Sequence, residues 1–252
     1  MNNFDYEPIP HQDEFGSSAF LFDLRNSTAI TRRISWDKRL PIHINFMMEL
    51  NKKVYETIYN NCNPEEFAMN DTGDGYLCVF WDKLHALTCL DTAIRIQEFL
   101  ELELPKHNAA LKAVKPEDDI PKFDYGFAIH SGASTINRTT YTKNGKPVYK
   151  DFIFGIVANT VARLEAFTKN YIEFKFLVTE NYKDNYLKQV KQVTNKDNLS
   201  NLFEDKNRYV HESLGRVNIK DGKENSKIGN KGHIVYALSA DFLTKFKEYY
   251  AL

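Results

Sequence analysis

Two apolar runs that each meet an aspartate constrain this chain more than any other feature. Asp23 closes the run Ala19-Phe20-Leu21-Phe22 and is followed by Leu24-Arg25-Asn26-Ser27-Thr28. Asp74 sits in the turn Thr72-Gly73-Asp74-Gly75, between Glu66-Phe67-Ala68-Met69 and the run Tyr76-Leu77-Cys78-Val79-Phe80. Such runs read as buried strands, and a carboxylate at the mouth of a buried strand is costly unless a cation compensates it. Two of these carboxylates on neighbouring strands suit a pair of divalent ions about 4 Å apart, an arrangement that drives phosphoryl chemistry. Taken singly, each also fits a plainer role. An aspartate at a strand end is often a helix N-cap or turn residue, and Gly-Asp-Gly is a common hairpin turn.

The chain has 252 residues, 42% hydrophobic and 27% charged, which supplies the sizeable core of a soluble globular protein. Its 33 basic and 34 acidic side chains give a formal net charge of -1. No global basic field therefore points to nucleic acid or to an anionic membrane as a partner. Cys62, Cys78 and Cys89 lie in no CxxC or ligand-like spacing, which predicts reduced thiols rather than a disulfide framework or a zinc site. The opening residues, MNNFDYEPIPHQDEFGSS, have neither the basic flank nor the apolar core of a signal peptide. No run approaches the ~18–20 apolar residues of a membrane helix, so a cytoplasmic protein is expected.

Residues 1–16 read as a polar, Pro-containing tail and 17–252 as a single domain. A buried strand (about 18–23) precedes a helix over 41–60, where Met47, Leu50, Val54 and Ile58 recur at helical spacing behind Pro41. A hairpin over 65–80 leads to a second helix, 82–104, with Ala86, Leu90, Ala93, Ile96 and Leu100 on one side, expected to stop before Pro105. Then come a charged loop (105–121), a strand (122–130), a polar segment (133–147) with an Asn144-Gly145 hairpin signal, and a strand over 148–154. A helix (156–169), a strand (174–179), a helix (180–192) and a polar loop (194–207) follow, with two strands (208–220 and 233–239) and a terminal helix completing the chain. This order predicts an α+β fold, a ferredoxin-like βαββαβ core with additional α and β elements, its antiparallel-rich sheet carrying helices on one face.

Asn159 and Arg163 stand four apart at the start of the 156–169 helix and so share a face, one turn from each other. Gly155 before them permits close approach of a ligand to backbone. A planar guanidinium suits an anionic phosphoryl group, and an asparagine can orient a sugar oxygen. An exposed helix face with Arg163 in a salt bridge is the plainer alternative.

Six segments in order, LFDLRNST (21–28), TGDG (72–75), GFAIHSG (126–132), FGIVANTVARLEAF (154–167), FLVTENY (176–182) and LGRVNIK (214–220), resemble successive signatures of the class III nucleotidyl cyclase catalytic domain. The resemblance runs from about residue 18 to 240. It implies that Asp23 and Asp74 bind two divalent ions, Mg²⁺ or Mn²⁺, that Asn159 orients the ribose, and that Arg163 stabilises the transition state. Lys220 falls where the family has a lysine on the triphosphate; a solvated strand end is the alternative there, and Lys223 or Lys231 are substitutes. The family's site is composite, so the resemblance implies a homodimer in which one subunit supplies the aspartates and the other the Asn/Arg helix.

The positions that read the base depart from purine-using members. Asn70 stands where adenylate cyclases carry a lysine, Ser27 where a phenylalanine packs on the purine, and Phe152 three residues before Gly155, with Asp151 one step early for an adenine-reading acid. Phe46 is a further aromatic for the site or the core. Asn70 both donates and accepts, as uracil or cytosine edges require. The chain thus resembles the bacterial pyrimidine cyclases of antiphage systems, which implies UTP, then CTP, as substrate and a separate effector activated by the cyclic nucleotide. The alternatives are an adenylate or guanylate cyclase with an unusual pocket, and an inactive cyclase-like domain that binds nucleotide or dimerises. A diguanylate cyclase would need a Gly-Gly-acidic-acidic-Phe turn, which Thr72-Gly73-Asp74-Gly75 does not supply.

Overall fold

The computed structural model describes residues 16–143, 146–170, 173–205, 209–211, 216–217 and 233–250. The chain order begins with β1 (Ser17–Arg25), α1 (Ser27–Ile34), α2 (Leu40–Asn61), β2 (Phe67–Asp71), β3 (Gly75–Phe80), α3 (His85–Val114) and β4 (Asp124–Gly132). It continues with β5 (Ser134–Lys143), β6 (Lys146–Gly155), α4 (Ile156–Thr168), β7 (Phe176–Thr179), α5 (Glu180–Val190) and α6 (Lys196–Glu204). The short β8 (Val210–His211) and β9 (Arg216–Val217), then β10 (His233–Leu238) and α7 (Ala240–Tyr250), complete it.

The main sheet runs β2-β3-β1-β4-β7-β10-β8, with β9 also on β10. Its first four strands follow the ferredoxin-like order, each antiparallel to its neighbour. The pairing of β4 with β7 is parallel, and β10 returns antiparallel to β7. The fold is therefore α+β with a mostly antiparallel sheet, as expected.

Strand alternation divides the core. Phe20, Phe22 and Leu24 of β1 face one side, where α2, α3, α5, α6 and α7 bury the larger cluster. Ala19 and Leu21 face the other side, against Val157 and Val161 of α4, and Ala128, Leu177 and Val235 continue that face against Leu164 and Phe167. Helices thus cover both faces, not one. A central strand that is apolar on both sides has to be covered on both. On the α4 side, His130 Nδ1 lies 2.7 Å from Thr179 Oγ1, which ties β4 to β7. Burial holds the His130 pKa down to about 3.

Two further expectations are corrected, and one helix was not foreseen. The second helix does not stop before Pro105 but continues to Val114. Its last turns are held by tertiary contacts: Leu104, His107 and Leu111 are buried, the His107 ring stacks on Phe46 at 4.3 Å, and Asn108 exchanges two 2.9 Å hydrogen bonds with the Phe123 backbone. These outweigh the backbone hydrogen bond that a proline forfeits. The polar loop 194–207 contains α6, whose Leu199, Leu202 and Phe203 are buried at helical spacing. The stretch after the first strand is the helix α1, which buries Ile30 and Ile34.

Candidate active site

The register of β1 places Asp23 between two glycines, Gly75 on β3 and Gly126 on β4. Neither neighbour tolerates a side chain. A Cβ on Gly75 would collide with the Phe22 carbonyl oxygen, and one on Gly126 would stand 2.5 Å from Thr168 Oγ1 and 2.6 Å from an Arg25 Nη. Asp74 reaches the same place from the β2–β3 turn, where Gly73 takes a φ of 99° that favours glycine. Its carbonyl oxygen accepts from Leu24 N at 3.1 Å, docking the turn on the end of β1. Asn26, at φ 67°, swings the chain into α1, and the hydroxyl of Ser27 donates to Asp74 Oδ2.

Asp23 and Asp74 lie within hydrogen-bonding reach of each other, and the charge of Glu165 acts on Asp23 as well. Lys169 is the compensating cation, its Nζ 3.5 Å from Asp23 Oδ2 and 3.9 Å from Glu165 Oε2. Burial, then the hydrogen bond and charge of Asp74, then the charge of Glu165 push the Asp23 pKa up to about 7, against the pull of Lys169. Glu165 is itself buried, its carboxyl raised chiefly by burial, and its Oε1 finds no hydrogen-bond partner among the described residues. Asp23 and Glu165 thus share one half-exposed ammonium, with Asp74 beside Asp23 and the charge of Arg25 acting on Glu165. The two aspartates are all-oxygen donors of the kind a hard divalent cation such as Mg²⁺ or Mn²⁺ takes, although among the described residues no three such side chains converge as a metal-binding group. Sequence reasoning missed Glu165 and Lys169; the available signal was a lone acid on the apolar stripe Val157, Val161, Leu164, Thr168 of α4.

The Arg25 side chain, also missed, fixes this helix to the sheet. It is buried, donates to the Thr168 carbonyl at the end of α4 at 3.0 Å, and pairs with Asp124 at 3.2 Å. A cation on the last carbonyls also complements the helix dipole.

Asn159 and Arg163 both occupy the exposed face of α4. Among the described residues, the side chain of neither makes a hydrogen bond or ion pair, so the salt bridge foreseen as the plainer reading of Arg163 is not formed there. At about 100° per residue, Arg163 and Glu165 are roughly 200° apart around the helix. The buried face of α4 meets the aspartates of its own chain, while the Asn/Arg pair points away from them.

Asn70 and Asp151 are brought together. With the Asn70 amide turned so that its nitrogen faces acceptors, that nitrogen donates to Met69 O at 3.1 Å and to Asp151 O at 2.8 Å. The Asp151 carboxylate is paired with Arg138 through both oxygens, at 2.7 and 3.0 Å. Phe152 is exposed, with Lys150 Nζ 5.3 Å above its ring. Phe46 is not brought to this surface. It is buried between α2 and α3 on the opposite side of the sheet, stacked on His107. Lys220 lies outside the described residues, as do the Asn144-Gly145 turn and residues 1–15.

No protein-family model matches the chain, and no curated protein matches it. Solved structures do. The chain superposes on the adenylyl cyclase CyaB from P. aeruginosa with a TM-score of 0.52 and 14% identity, covering 89% of this chain and 94% of that one. Against a bacterial light-regulated adenylyl cyclase the TM-score is 0.55 and the identity 12%, over 93% of this chain and 56% of that one. Against the guanylate cyclase domain of RhGC from Catenaria anguillulae, solved in complex with GTP, the values are 0.50 and 14%, over 89% and 96%. At these identities the likeness is one of fold: the chain has the fold of the class III cyclase domains. Among the described residues no helix is long and apolar enough to cross a membrane.

Proposed function

We propose that this chain is a class III nucleotidyl cyclase that converts a pyrimidine nucleoside triphosphate, UTP before CTP, into its 3′,5′-cyclic monophosphate and pyrophosphate. The observation that carries the reading is the crowding of Asp23 and Asp74, with Glu165 behind them, at the end of the two central strands of this fold. Asp23 and Asp74 would hold the divalent ions. When bound, these supply activation of the ribose 3′-hydroxyl and neutralisation of the triphosphate charge. Asn159 orients the ribose so that its 3′-oxygen lies in line with the α-phosphorus, and the new P–O bond forms as the bond to pyrophosphate breaks. Arg163 meets the charge that builds on the α-phosphoryl oxygens, an interaction stronger in the transition state than before it. Lys220 holds the triphosphate.

The outward placement of Asn159 and Arg163 supports a homodimer with two shared sites, each taking its aspartates from one subunit and its Asn/Arg pair from the other. Residues 17–252 act as one catalytic domain behind a short N-terminal tail. The resemblance to antiphage pyrimidine cyclases supports a cytoplasmic enzyme whose product activates a separate effector.

A second reading has one observation in its favour. The Asn70 nitrogen is occupied by two carbonyls, so Asn70 meets a base as an acceptor and not, as its residue type alone allows, as donor and acceptor. A guanine ring N–H satisfies an acceptor as a uracil N–H does, which favours a guanylate over an adenylate cyclase among the purine alternatives. Incubation of the purified protein with the four nucleoside triphosphates and Mn²⁺ or Mg²⁺, with products identified by mass, separates these readings. Cyclic UMP, or failing that cyclic CMP, is expected as the main product. Cyclic GMP or AMP in its place overturns the pyrimidine assignment, and no cyclic product from any of the four overturns the cyclase itself.

A further inference from the structure

The hairpin β5–β6 carries a buried ion pair that the reaction above does not use. Arg138 Nε stands 2.7 Å from Asp151 Oδ1 and an Nη 3.0 Å from Oδ2, with the two side chains 9% and 6% exposed. The same guanidinium donates to the carbonyls of Pro64, at 2.7 Å, and Phe67, at 2.5 Å. Phe67 opens β2, the edge strand of the main sheet, so Arg138 both closes an open edge and pins the hairpin to it. Further along that strand, the Asn70 nitrogen spends one donor on Met69 O and the other on Asp151 O. What remains of Asn70 for a ligand is its amide oxygen. The Asp151 carboxylate is turned from a ligand, because it is buried and both of its oxygens face the two-pronged guanidinium.

We propose that Arg138 is a positioning residue for base choice: by pinning the hairpin against β2 it keeps the Asp151 main-chain carbonyl on the Asn70 nitrogen and the Asp151 carboxylate away from a ligand, so that the site selects a base presenting a ring N–H, uracil over cytosine among the pyrimidines. This rests on the cyclase reading of the site. The uracil N3–H donates to the Asn70 oxygen. Cytosine N3 and adenine N1 present lone pairs at the corresponding ring position, leaving two acceptors face to face, and an unmade buried hydrogen bond of this kind costs about 10- to 100-fold in selectivity. Removing Arg138 loosens the hairpin from β2 and frees the Asp151 carboxylate, which then accepts from the amino groups of cytosine and adenine.

The test compares turnover of UTP, CTP and ATP at equal concentrations by the wild-type protein, Arg138→Gln, and the double variant Arg138→Gln/Asp151→Asn. The wild type is expected to prefer UTP over CTP by about tenfold or more. In Arg138→Gln that ratio should collapse to within about threefold, with ATP use rising. The double variant, which has no carboxylate at 151 to accept from an amino-bearing base, should lose the gain in CTP and ATP use. A role confined to stability would lower the melting temperature and reduce turnover of every nucleotide alike, and an unchanged ratio overturns the proposal, as does a wild type that prefers CTP. If Arg138→Gln does not fold, Arg138→Lys, which keeps the charge but not the fork, carries the same expectation. A wild type that cyclises nothing sinks the cyclase reading separately. The dissociation constants of the same nucleotides, measured by calorimetry on the same proteins, then decide for or against Arg138 by the same ratios.

Discussion

At the scale of single residues, the sequence signal and the site agree where chemistry is tied to a turn or strand end. Asp23, Asp74 and Ser27 are within one cluster because Asp23 lies beside Gly75 in the strand register, Gly73 shapes the turn that carries Asp74, and Asn26 swings the chain into the helix that Ser27 opens. Replacing Asp23 or Asp74 with alanine should abolish cyclic product by mass spectrometry while leaving the circular dichroism spectrum intact; near-normal turnover in both would remove the metal assignment. The crowding also has a consequence without any ligand. Asp23→Asn removes a carboxylate whose charged form burial, Asp74 and Glu165 all disfavour, so the metal-free protein should melt higher by roughly 2–4 °C at pH 8 in a calorimetric scan. Glu165 was not legible beforehand, because one acid on a helix face carries no mark of what the face will meet.

At the scale of elements, α4 is the part on which the site depends. Its inner face is set against β1 and β4 by Val157, Val161 and Leu164, and its end is fastened by Arg25 at the Thr168 carbonyl. The close approach there uses Gly126. Gly126→Ala should therefore push Thr168 and Arg25 outward, lowering stability by about 1–3 kcal/mol in urea titration, with a matching fall in turnover. An alanine variant as stable and active as the wild type would show that α4 has slack at this point. The same logic explains where element boundaries were illegible. Pro105 is a sound stop signal locally, but His107, Asn108 and Leu111 have partners on α2 and at Phe123 that only the packed chain supplies. The helix α6 was hidden by its polar composition, although Leu199, Leu202 and Phe203 carried the spacing.

At the scale of the whole molecule, one chain presents its carboxylates on one side of α4 and its Asn159 and Arg163 on the other. Neither half has the complete set that the proposed reaction needs. An inactive Asp74→Ala subunit mixed with an inactive Arg163→Ala subunit should then recover activity, since half of the mixed sites in each heterodimer carry neither lesion. With subunit exchange verified by mass-tagged protomers, continued silence of the mixture would rule out the shared site.

The sequence by itself determined most of the element order and the place of both aspartates beside apolar strands. These are local properties: apolar runs of strand length, turn glycines, and helical spacing, read without knowing any distant partner. Tertiary structure alone decided what covers each face of the sheet, that Glu165 acts on Asp23, that Phe46 belongs to the core, that Arg138 takes the Asp151 carboxylate, and that main-chain carbonyls take the Asn70 nitrogen. Each of those depends on which residues meet across long stretches of chain. A hydrogen-bonding group's remaining donors and acceptors are known only once its neighbours are in place.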